Sequence, residues 1–227
     1  MDARGRIRLH YCSNGADNLG HMGQEKEEMK KYELTSETKN VFGHILYRIK
    51  ALSSFGCVSA GDLGGFLESE KNLSQNGDAW VYGNAEVYGD AWVYGNARVY
   101  GNAEVYGDAW VYGDARVYGD AWVSGNAEVY GDARVYGDAR VYGNAEVSEI
   151  GAIFWIGAIG SRNDTATFFR CRDGSIKVVC GCFFGNLDEF AKKVRKTHGD
   201  NDHAKVYMLA IEMAKIRIGD KKEKTEE

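Results

Sequence analysis

A six-residue unit repeats twelve times, without insertion or deletion, between residues 77 and 148. Each unit has the form Gly-(Asp/Asn)-Ala-X-Val-(Tyr/Ser), and its Gly, Ala and Val do not vary. A fixed short repeat is typical of chains whose units stack on one another instead of folding around one central core. The repeat therefore constrains the architecture more than any other feature of the chain.

The period of six favours short strands over a long helix. In a helix with 3.6 residues per turn, successive Val side chains would point in different directions around the helix axis. In a strand, by contrast, residues two apart point to the same side. Ala and Val then share one side, and X and Tyr share the other. Gly accepts positive φ, and Asp and Asn tolerate it, so each Gly-(Asp/Asn) pair predicts a corner after the preceding strand.

The units resemble the hexapeptide repeats of left-handed parallel β-helix proteins, in which a small residue follows an aliphatic one four positions later. Val81 with Ala85, and so on to Val141 with Ala145, match that pattern. The resemblance implies that three hexapeptides close one triangular coil, with 18 residues per turn, four turns in the repeat and a left hand. We expect a mainly β protein with an N-terminal β cap and a small C-terminal α+β module.

The changes in composition along the chain predict five segments. The head, from Lys31 to Gly77, also resembles a group of bacterial and phage-borne hexapeptide-repeat proteins, some of them labelled transferases. The predicted segments are a disordered leader at 1–28 with Met29 as a possible start, a β cap at 29–76, a β-helix at 77–160 whose last coil is degenerate, a C-terminal module at 161–220 and a charged tail at 221–227.

The C-terminal module is predicted to contain a hairpin and two helices. Asp173-Gly174 lies between two apolar runs and indicates a tight turn. Asn186 is a suitable N-cap for a first helix ending near His198-Gly199, and a second helix is expected over 202–218. The residues that we expect on the buried side of the second helix are Val206, Leu209, Ala210, Met213 and Ile216.

Charge and cysteine content predict a cytoplasmic protein without a membrane span. The formal net charge is −5, but seven Asp and four Glu against four Arg give the repeat −7 and leave the remainder at +2. The longest apolar run, 150–159, is too short to cross a bilayer. The cysteines are odd in number and scattered, unlike a secreted disulfide framework; they lie at positions 12, 57, 171, 180 and 182.

The repeat lacks the imidazole groups that catalysis on such a coil would need. Acyltransferases with this fold use a His base, and zinc enzymes with this fold use His ligands, but all five His lie outside the repeat. We therefore expect no catalytic residue, metal or cofactor. The alternative is an acyl-coenzyme A dependent acyltransferase whose base is His44 or His198. Cys171, Cys180-Gly-Cys182, His198 and His203 could form a metal site, although two buried thiols on one side of a hairpin explain Cys180 and Cys182 more simply.

The outward positions of the repeat supply the candidate binding residues. Residues 18 apart should stack in columns, so that a tyrosine column and an arginine column share one face, while two tryptophans share another face with two glutamates. A polar loop at 160–164 could also grip an anion. The candidates are Trp80, Trp92, Trp110, Trp122, Tyr82, Tyr100, Tyr118, Tyr136, Arg98, Arg116, Arg134 and Arg162.

Two interpretations of these columns stay open. Aromatic ladders stabilise stacked strands by about 0.2–1 kcal/mol per pair, and Asp114 and Asp132 could neutralise the arginines, so the columns could be purely structural. Large exposed aromatic areas also mark binding surfaces. We predict a non-catalytic scaffold or binding protein that presents an aromatic and acidic prism surface and a C-terminal interaction module. It is expected to associate with itself through a prism face. It could bind a protein or a small flat ligand such as a sugar, whereas nucleic acid is not an expected partner. The acidic repeat could instead mimic nucleic acid, but the interleaved arginines dilute its field.

Overall fold

The computed structural model describes residues 30–219. The predicted leader, the start at Met29 and the charged tail lie outside the described residues. Within them the protein consists of an N-terminal antiparallel sheet, a parallel β-solenoid and a C-terminal module with two helices, so the predicted fold class is confirmed. No helix in this range is long and apolar enough to cross a membrane.

The N-terminal segment forms three strands: β1 (Tyr32–Val41), β2 (His44–Ala51) and β3 (Leu63–Leu67). β1 and β2 form an antiparallel pair, and β2 also pairs antiparallel with β3. The hairpin between β1 and β2 turns at Phe42 and Gly43, both of which have positive φ. This sheet covers the end of the solenoid where the coil begins.

Each hexapeptide contributes one two-residue strand, and strands 18 residues apart pair in parallel register. Three sheets result, one for each side of the coil, as a triangular coil requires. The strands are β4 (Trp80–Val81), β5 (Glu86–Val87), β6 (Trp92–Val93), β7 (Arg98–Val99), β8 (Glu104–Val105), β9 (Trp110–Val111), β10 (Arg116–Val117), β11 (Trp122–Val123), β12 (Glu128–Val129), β13 (Arg134–Val135), β14 (Arg140–Val141) and β15 (Glu146–Val147).

The invariant positions of the repeat explain why this coil closes. Every Ala and Val of the repeat is at most 1% exposed and fills one continuous core. Every repeat Gly has φ between 59° and 77°, which only Gly adopts without strain, and each one turns the chain into the next side. Successive coils are joined by main-chain hydrogen bonds such as Arg116 N to Ala133 O at 2.9 Å.

The solenoid begins before the first regular hexapeptide. β3 pairs in parallel with β5, and Leu73 forms a parallel bridge with Val93, so both already belong to the first coil. The predicted boundary at residue 76 is therefore too late. Asn72, which is fully buried, donates to the carbonyls of Gly89 at 3.0 Å and Ala91 at 2.9 Å and so joins this irregular coil to the next one.

The C-terminal module is a four-stranded antiparallel sheet covered by two helices. Its elements are β16 (Ile153–Ile159), β17 (Asp164–Arg170), β18 (Ile176–Cys180), β19 (Phe183–Asn186), α1 (Leu187–His198) and α2 (Asp202–Ile218). The hairpin at Asp173-Gly174 and both helices are confirmed, and the Asn186 side chain caps α1 by accepting from Glu189 N at 2.9 Å.

The predicted degenerate coil to residue 160 is wrong. Ile153 lies in the solenoid core, but it begins β16, which pairs antiparallel with β17. Ile159 belongs to the separate core beneath the helices. An extended strand replaces the corner because the Gly-(Asp/Asn) pair that turns the chain is missing from this segment.

The predicted buried side of α2 is also wrong, except at Ala210. Val206, Leu209, Met213 and Ile216 are exposed. The side that packs on the sheet carries small residues beside larger ones, which lets the helix approach the sheet closely. The buried residues are Ala204, Tyr207, Ala210, Ile211, Ala214 and Ile218.

Candidate functional site

One side of the solenoid presents three arginines in a column, and we call it the arginine face. It consists of Arg98, Arg116 and Arg134, with Tyr82, Tyr100, Tyr118 and Tyr136 beside them. Arg116 is the register partner of both Arg98 and Arg134 in the parallel sheet. Because neighbouring strands lie about 4.8 Å apart, the guanidinium groups project from backbones at that spacing.

The tyrosines of the arginine face form a ladder parallel to the arginine column. The Tyr100 and Tyr118 rings stack at 4.7 Å, and the Tyr118 and Tyr136 rings stack at 4.9 Å. Tyr82 meets Tyr100 edge to face, and Trp155 closes the other end edge to face against Tyr136. The rings therefore cover each other, and the ladder presents ring edges and hydroxyl groups to a ligand.

Two phenols of this ladder, those of Tyr82 and Tyr118, stay protonated at neutral pH and can donate hydrogen bonds. Burial raises the pKa of Tyr82, although Arg98 opposes the shift. Burial also raises the pKa of Tyr118, and Tyr100 adds to the shift. A protonated phenol beside a guanidinium group gives this face two kinds of donor for an anion.

An open groove of about 380 Å³ lies at the end of the arginine face nearest the N-terminal sheet. Cys57 lines it together with Tyr82, Arg98, Tyr100 and Arg116. The Cys57 thiol is exposed, and its sulfur lies 3.7 Å from an Arg98 guanidinium nitrogen. Sequence reasoning missed Cys57, because nothing in the irregular segment between β2 and β3 indicates which side of the coil it reaches.

The three arginines form no ion pair with any residue in the described range 30–219. The predicted neutralisation by Asp114 and Asp132 is not seen as a direct contact. Asp114 instead accepts a hydrogen bond from the Asn96 side chain at 3.1 Å. The column therefore places like charges side by side on an otherwise acidic repeat.

Trp80 shares this column but does not belong to the exposed surface. It is 1% exposed and packs edge to face against Tyr32 at 6.0 Å and Phe55 at 5.4 Å. The prediction of Trp80 as a binding residue is wrong, because the N-terminal segment covers the first unit of the column. Its role is to seal the end of the core.

A second side, which we call the tryptophan face, carries Trp92, Trp110, Glu128 and Glu146 in one column. Trp92 and Trp110 are 37% and 42% exposed. Three carboxylates on this side, those of Asp90, Glu128 and Glu146, have partners within the chain. Lys71 pairs with Asp90 at 2.7 Å, Arg172 pairs with Glu128, and the phenols of Tyr112 and Tyr130 donate to Glu128 and Glu146.

The two remaining candidates lie away from both faces. Trp122 lies on the third side, where the Arg140 guanidinium covers its ring at 4.9 Å. Arg162 lies in the loop between β16 and β17 and pairs with Asp164 at 3.6 Å. The structure thus brings Arg98, Arg116 and Arg134 together with the four tyrosines and leaves Arg162 apart from them.

The three histidines within residues 30–219 do not converge on the solenoid wall. His44 Nδ1 lies 2.9 Å from Glu68 Oε1, and its ring packs on Tyr88, so it joins the N-terminal hairpin to the coil. His198 packs against His203 and Tyr207 in the helical module. Across residues 30–219, no group of three or more His, Cys, Asp or Glu is arranged to hold a metal ion.

The interpretation of Cys180 and Cys182 as two buried thiols on one side of a hairpin is correct for Cys180 and wrong for Cys182. Cys180 is buried near the Tyr207 hydroxyl at 3.8 Å, but Cys182 is exposed. Gly181, with φ 57°, turns the chain between β18 and β19, so the two cysteines are not on one strand. Burial raises the pKa of Cys180 and also that of Cys171, to about 11, which keeps both thiols protonated.

These features define a parallel β-solenoid protein with an added sheet at one end and a helical module at the other. The regular part of the coil is similar to a family described as the YdcK beta-solenoid repeat. The model of that family matches residues 91–107, 97–113, 109–125, 127–143 and 133–149. Successive matches begin 6, 12, 18 and 6 residues apart, and these multiples of six agree with the hexapeptide period. No curated protein matches the chain.

Proposed function

We propose that this protein is a non-catalytic solenoid scaffold whose arginine face binds an extended acidic segment of a partner protein. The column of Arg98, Arg116 and Arg134, which forms no ion pair with residues 30–219, is the observation that carries the proposal. Like charges directly opposite each other in a sheet are unfavourable. An anionic ligand would remove that repulsion and add charge-assisted hydrogen bonds.

The geometry of the face favours a linear ligand. The arginines follow one line along the coil axis, and the hydroxyl groups of the tyrosine ladder follow a parallel line. An extended peptide with regularly spaced carboxylates could meet several guanidinium groups at once, and each carboxylate can accept two parallel hydrogen bonds from one guanidinium.

Nucleic acid fits this face less well than an acidic peptide. The ladder tyrosines stack on each other, so their ring faces are covered and bases have no platform there. The seven Asp and four Glu of the repeat repel any anion, but they would repel a phosphate backbone more strongly than a peptide with fewer charges per unit length. Carboxylate recognition by three arginines is the chemistry that remains.

The test is binding of a short peptide that alternates Glu and Gly, measured by calorimetry or fluorescence anisotropy. The same peptide with Gln in place of Glu is the neutral ligand, and a single-stranded oligonucleotide is the competing anion. The protein variant Arg98→Gln/Arg116→Gln/Arg134→Gln removes the face. Arg140→Gln is the matched control, since Arg140 occupies the same position of the repeat on another side.

We expect the triple variant to bind the Glu peptide about tenfold more weakly, because exposed ion pairs contribute about 0.2–1 kcal/mol each. Arg140→Gln should stay within about twofold of the parent protein, since its charge lies on another side of the coil. Equal binding by the triple variant, or equal binding of the Gln peptide, would overturn the proposal. Binding of the oligonucleotide without binding of the Glu peptide would replace it with nucleic-acid recognition.

The tryptophan face supports a second candidate, which is stacking of a neutral sugar. Trp110 is partly exposed and lines an open groove with Asp108 and Asn126, a combination that suits sugar rings and their hydroxyl groups. A soluble glucan is the probe. Binding that is lost in Trp110→Ala and kept in the triple arginine variant would favour this candidate.

Several finer predictions stay predictions. They are membership of the hexapeptide-repeat superfamily, the left hand of the coil, the association with phage, self-association through a prism face and acyl transfer by His44 or His198. A cytoplasmic location is supported by the free state of all four cysteines within residues 30–219, which suits a reducing compartment.

A further inference from the structure

The exposed side of α2 carries an uncovered apolar row, which we call the α2 stripe. It consists of Val206, Leu209, Met213 and Ile216, with exposures from 39% to 84%. The spacing of three, four and three residues places the four side chains along one line of the helix. The same spacing defines the a and d positions of a two-heptad coiled-coil seam.

The stripe is distinct from the side that holds α2 in the fold. Tyr207, Ile211 and Ala214 face the sheet and α1, and they lie in the buried core of the module. No side chain in the described range buries the stripe. A well-packed helix that leaves four large apolar residues in water presents a contact surface.

The residues that flank the stripe identify a second copy of the chain as its occupant. With Val206 and Met213 at a and Leu209 and Ile216 at d, Glu212 takes a g position and Arg217 takes the following e position. In a parallel two-helix coil, g of one helix meets the next e of its partner. Glu212 would then face Arg217 of the other copy, and symmetry would form this pair twice.

An antiparallel arrangement fits the charges less well. If Leu209 faced Met213 of the second copy, Glu212 would lie near its own symmetry mate, with like charges close together. In one copy Glu212 pairs with Lys215 at 2.8 Å, and both side chains are about half exposed, so Glu212 can exchange partners. We propose that α2 forms a parallel, two-fold homodimer seam through the α2 stripe.

The test is sedimentation velocity of the full chain over a concentration series, with circular dichroism to show that each variant is folded. We expect the parent protein to reach twice the monomer mass and Leu209→Glu to remain monomeric, with its dissociation constant raised more than a hundredfold. Leu63→Glu is the matched control, because Leu63 is a similarly exposed leucine, at 58% against 65%, in the N-terminal sheet. It should dimerise like the parent protein.

A charge exchange tests the parallel register. Glu212→Arg and Arg217→Glu should each weaken the dimer several-fold, and the double variant should restore it. A monomeric parent protein, or a dimer that survives Leu209→Glu, would overturn the seam, and the second result would place the contact on a prism face. If Leu209→Glu abolishes the dimer but the charge variants do not weaken it, the parallel register is overturned. Peptide binding by the arginine face is independent of these outcomes, because monomeric Leu209→Glu keeps that face.

Discussion

Arg116 lies directly opposite Arg134 on the neighbouring strand of one parallel sheet, and neither forms an ion pair with another described residue. Arg98 continues the column on the other side of Arg116. This arrangement of like charges opposes folding, and under the proposed function it would favour the binding of an anion. The same substitution should then change binding and stability in opposite directions.

Replacing Arg116 with Gln should raise the free energy of unfolding by up to about 0.5 kcal/mol, because it removes two like-charge contacts between opposed side chains. Arg140→Gln should lower it by about 0.5 kcal/mol, because that guanidinium covers the Trp122 ring. Urea denaturation at low salt measures both. Destabilisation by Arg116→Gln would indicate that the column is part of the scaffold's stability.

An acidic peptide bound to the arginine face should protect Cys57 from alkylation by iodoacetamide. The Cys57 thiol lies in the groove beside Arg98, so an occupant of that groove shields it. Cys182 is exposed in the turn before β19 and provides the internal control within the same molecule. Mass spectrometry of timed digests should show slower labelling of Cys57 alone, and equal slowing of both thiols would contradict a local effect.

Gly113→Ala should destabilise the coil more than Gly174→Ala. Both glycines have positive φ, 69° and 77°, so both substitutions carry a conformational penalty of about 1–2 kcal/mol. A β-carbon at Gly113 would also lie 2.9 Å from the Gly131 nitrogen of the next coil, whereas the space around Gly174 is open. We expect a further loss of about 1–3 kcal/mol at Gly113, measured by thermal or urea unfolding.

The stability of the N-terminal joint should increase between pH 8 and pH 10. Lys31 is buried and donates to the carbonyls of Ala79 at 2.9 Å and Gly77 at 3.3 Å. Burial lowers the pKa of Lys31 to about 8, against the opposing effect of Asp78. Lys31 therefore binds a proton more tightly in the unfolded chain than in the folded protein, which lowers the stability of the folded state below pH 8. This loss of stability disappears as the pH rises toward 10.5, the ordinary pKa of lysine in the unfolded chain.

The matched variant for this pH dependence is Lys31→Met, which keeps a long side chain at this position and removes the titrating amine. The parent protein should gain about 2 kcal/mol relative to Lys31→Met between pH 8 and pH 10. Only the change with pH is compared, since the variant also loses two hydrogen bonds. Parallel stability curves for the two proteins would show that Lys31 keeps an ordinary pKa.

The repeat made the coil predictable because each of its positions has one structural role. Gly sets the corner, and Ala and Val fill the interior. The 18-residue coil then determines which residues stack, so the sequence alone predicts that Arg98, Arg116 and Arg134 form one column, as the structure shows. Local spacing carries this information, and it does not depend on distant parts of the chain.

The errors occurred where distant segments decide the outcome. Trp80 occupies an outward position of the repeat, but Tyr32 and Phe55 cover it. The apolar residues of α2 surround much of the helix, and Val206, Leu209, Met213 and Ile216 formed the more hydrophobic row. The side of α2 that packs on the sheet instead carries Ala204, Ala210 and Ala214, because close packing requires small residues there.

The eighteen-residue interval between stacked arginines also means that duplication within the gene can change the length of the arginine column. Duplication of one complete coil that contains an arginine unit would add one guanidinium group and extend the charged line by about 4.8 Å, while leaving both ends of the protein as they are. If the arginine face binds an acidic segment as proposed, unequal recombination between identical repeats would adjust the length of that segment in whole steps. Homologues with more coils should then prefer proportionally longer acidic partners.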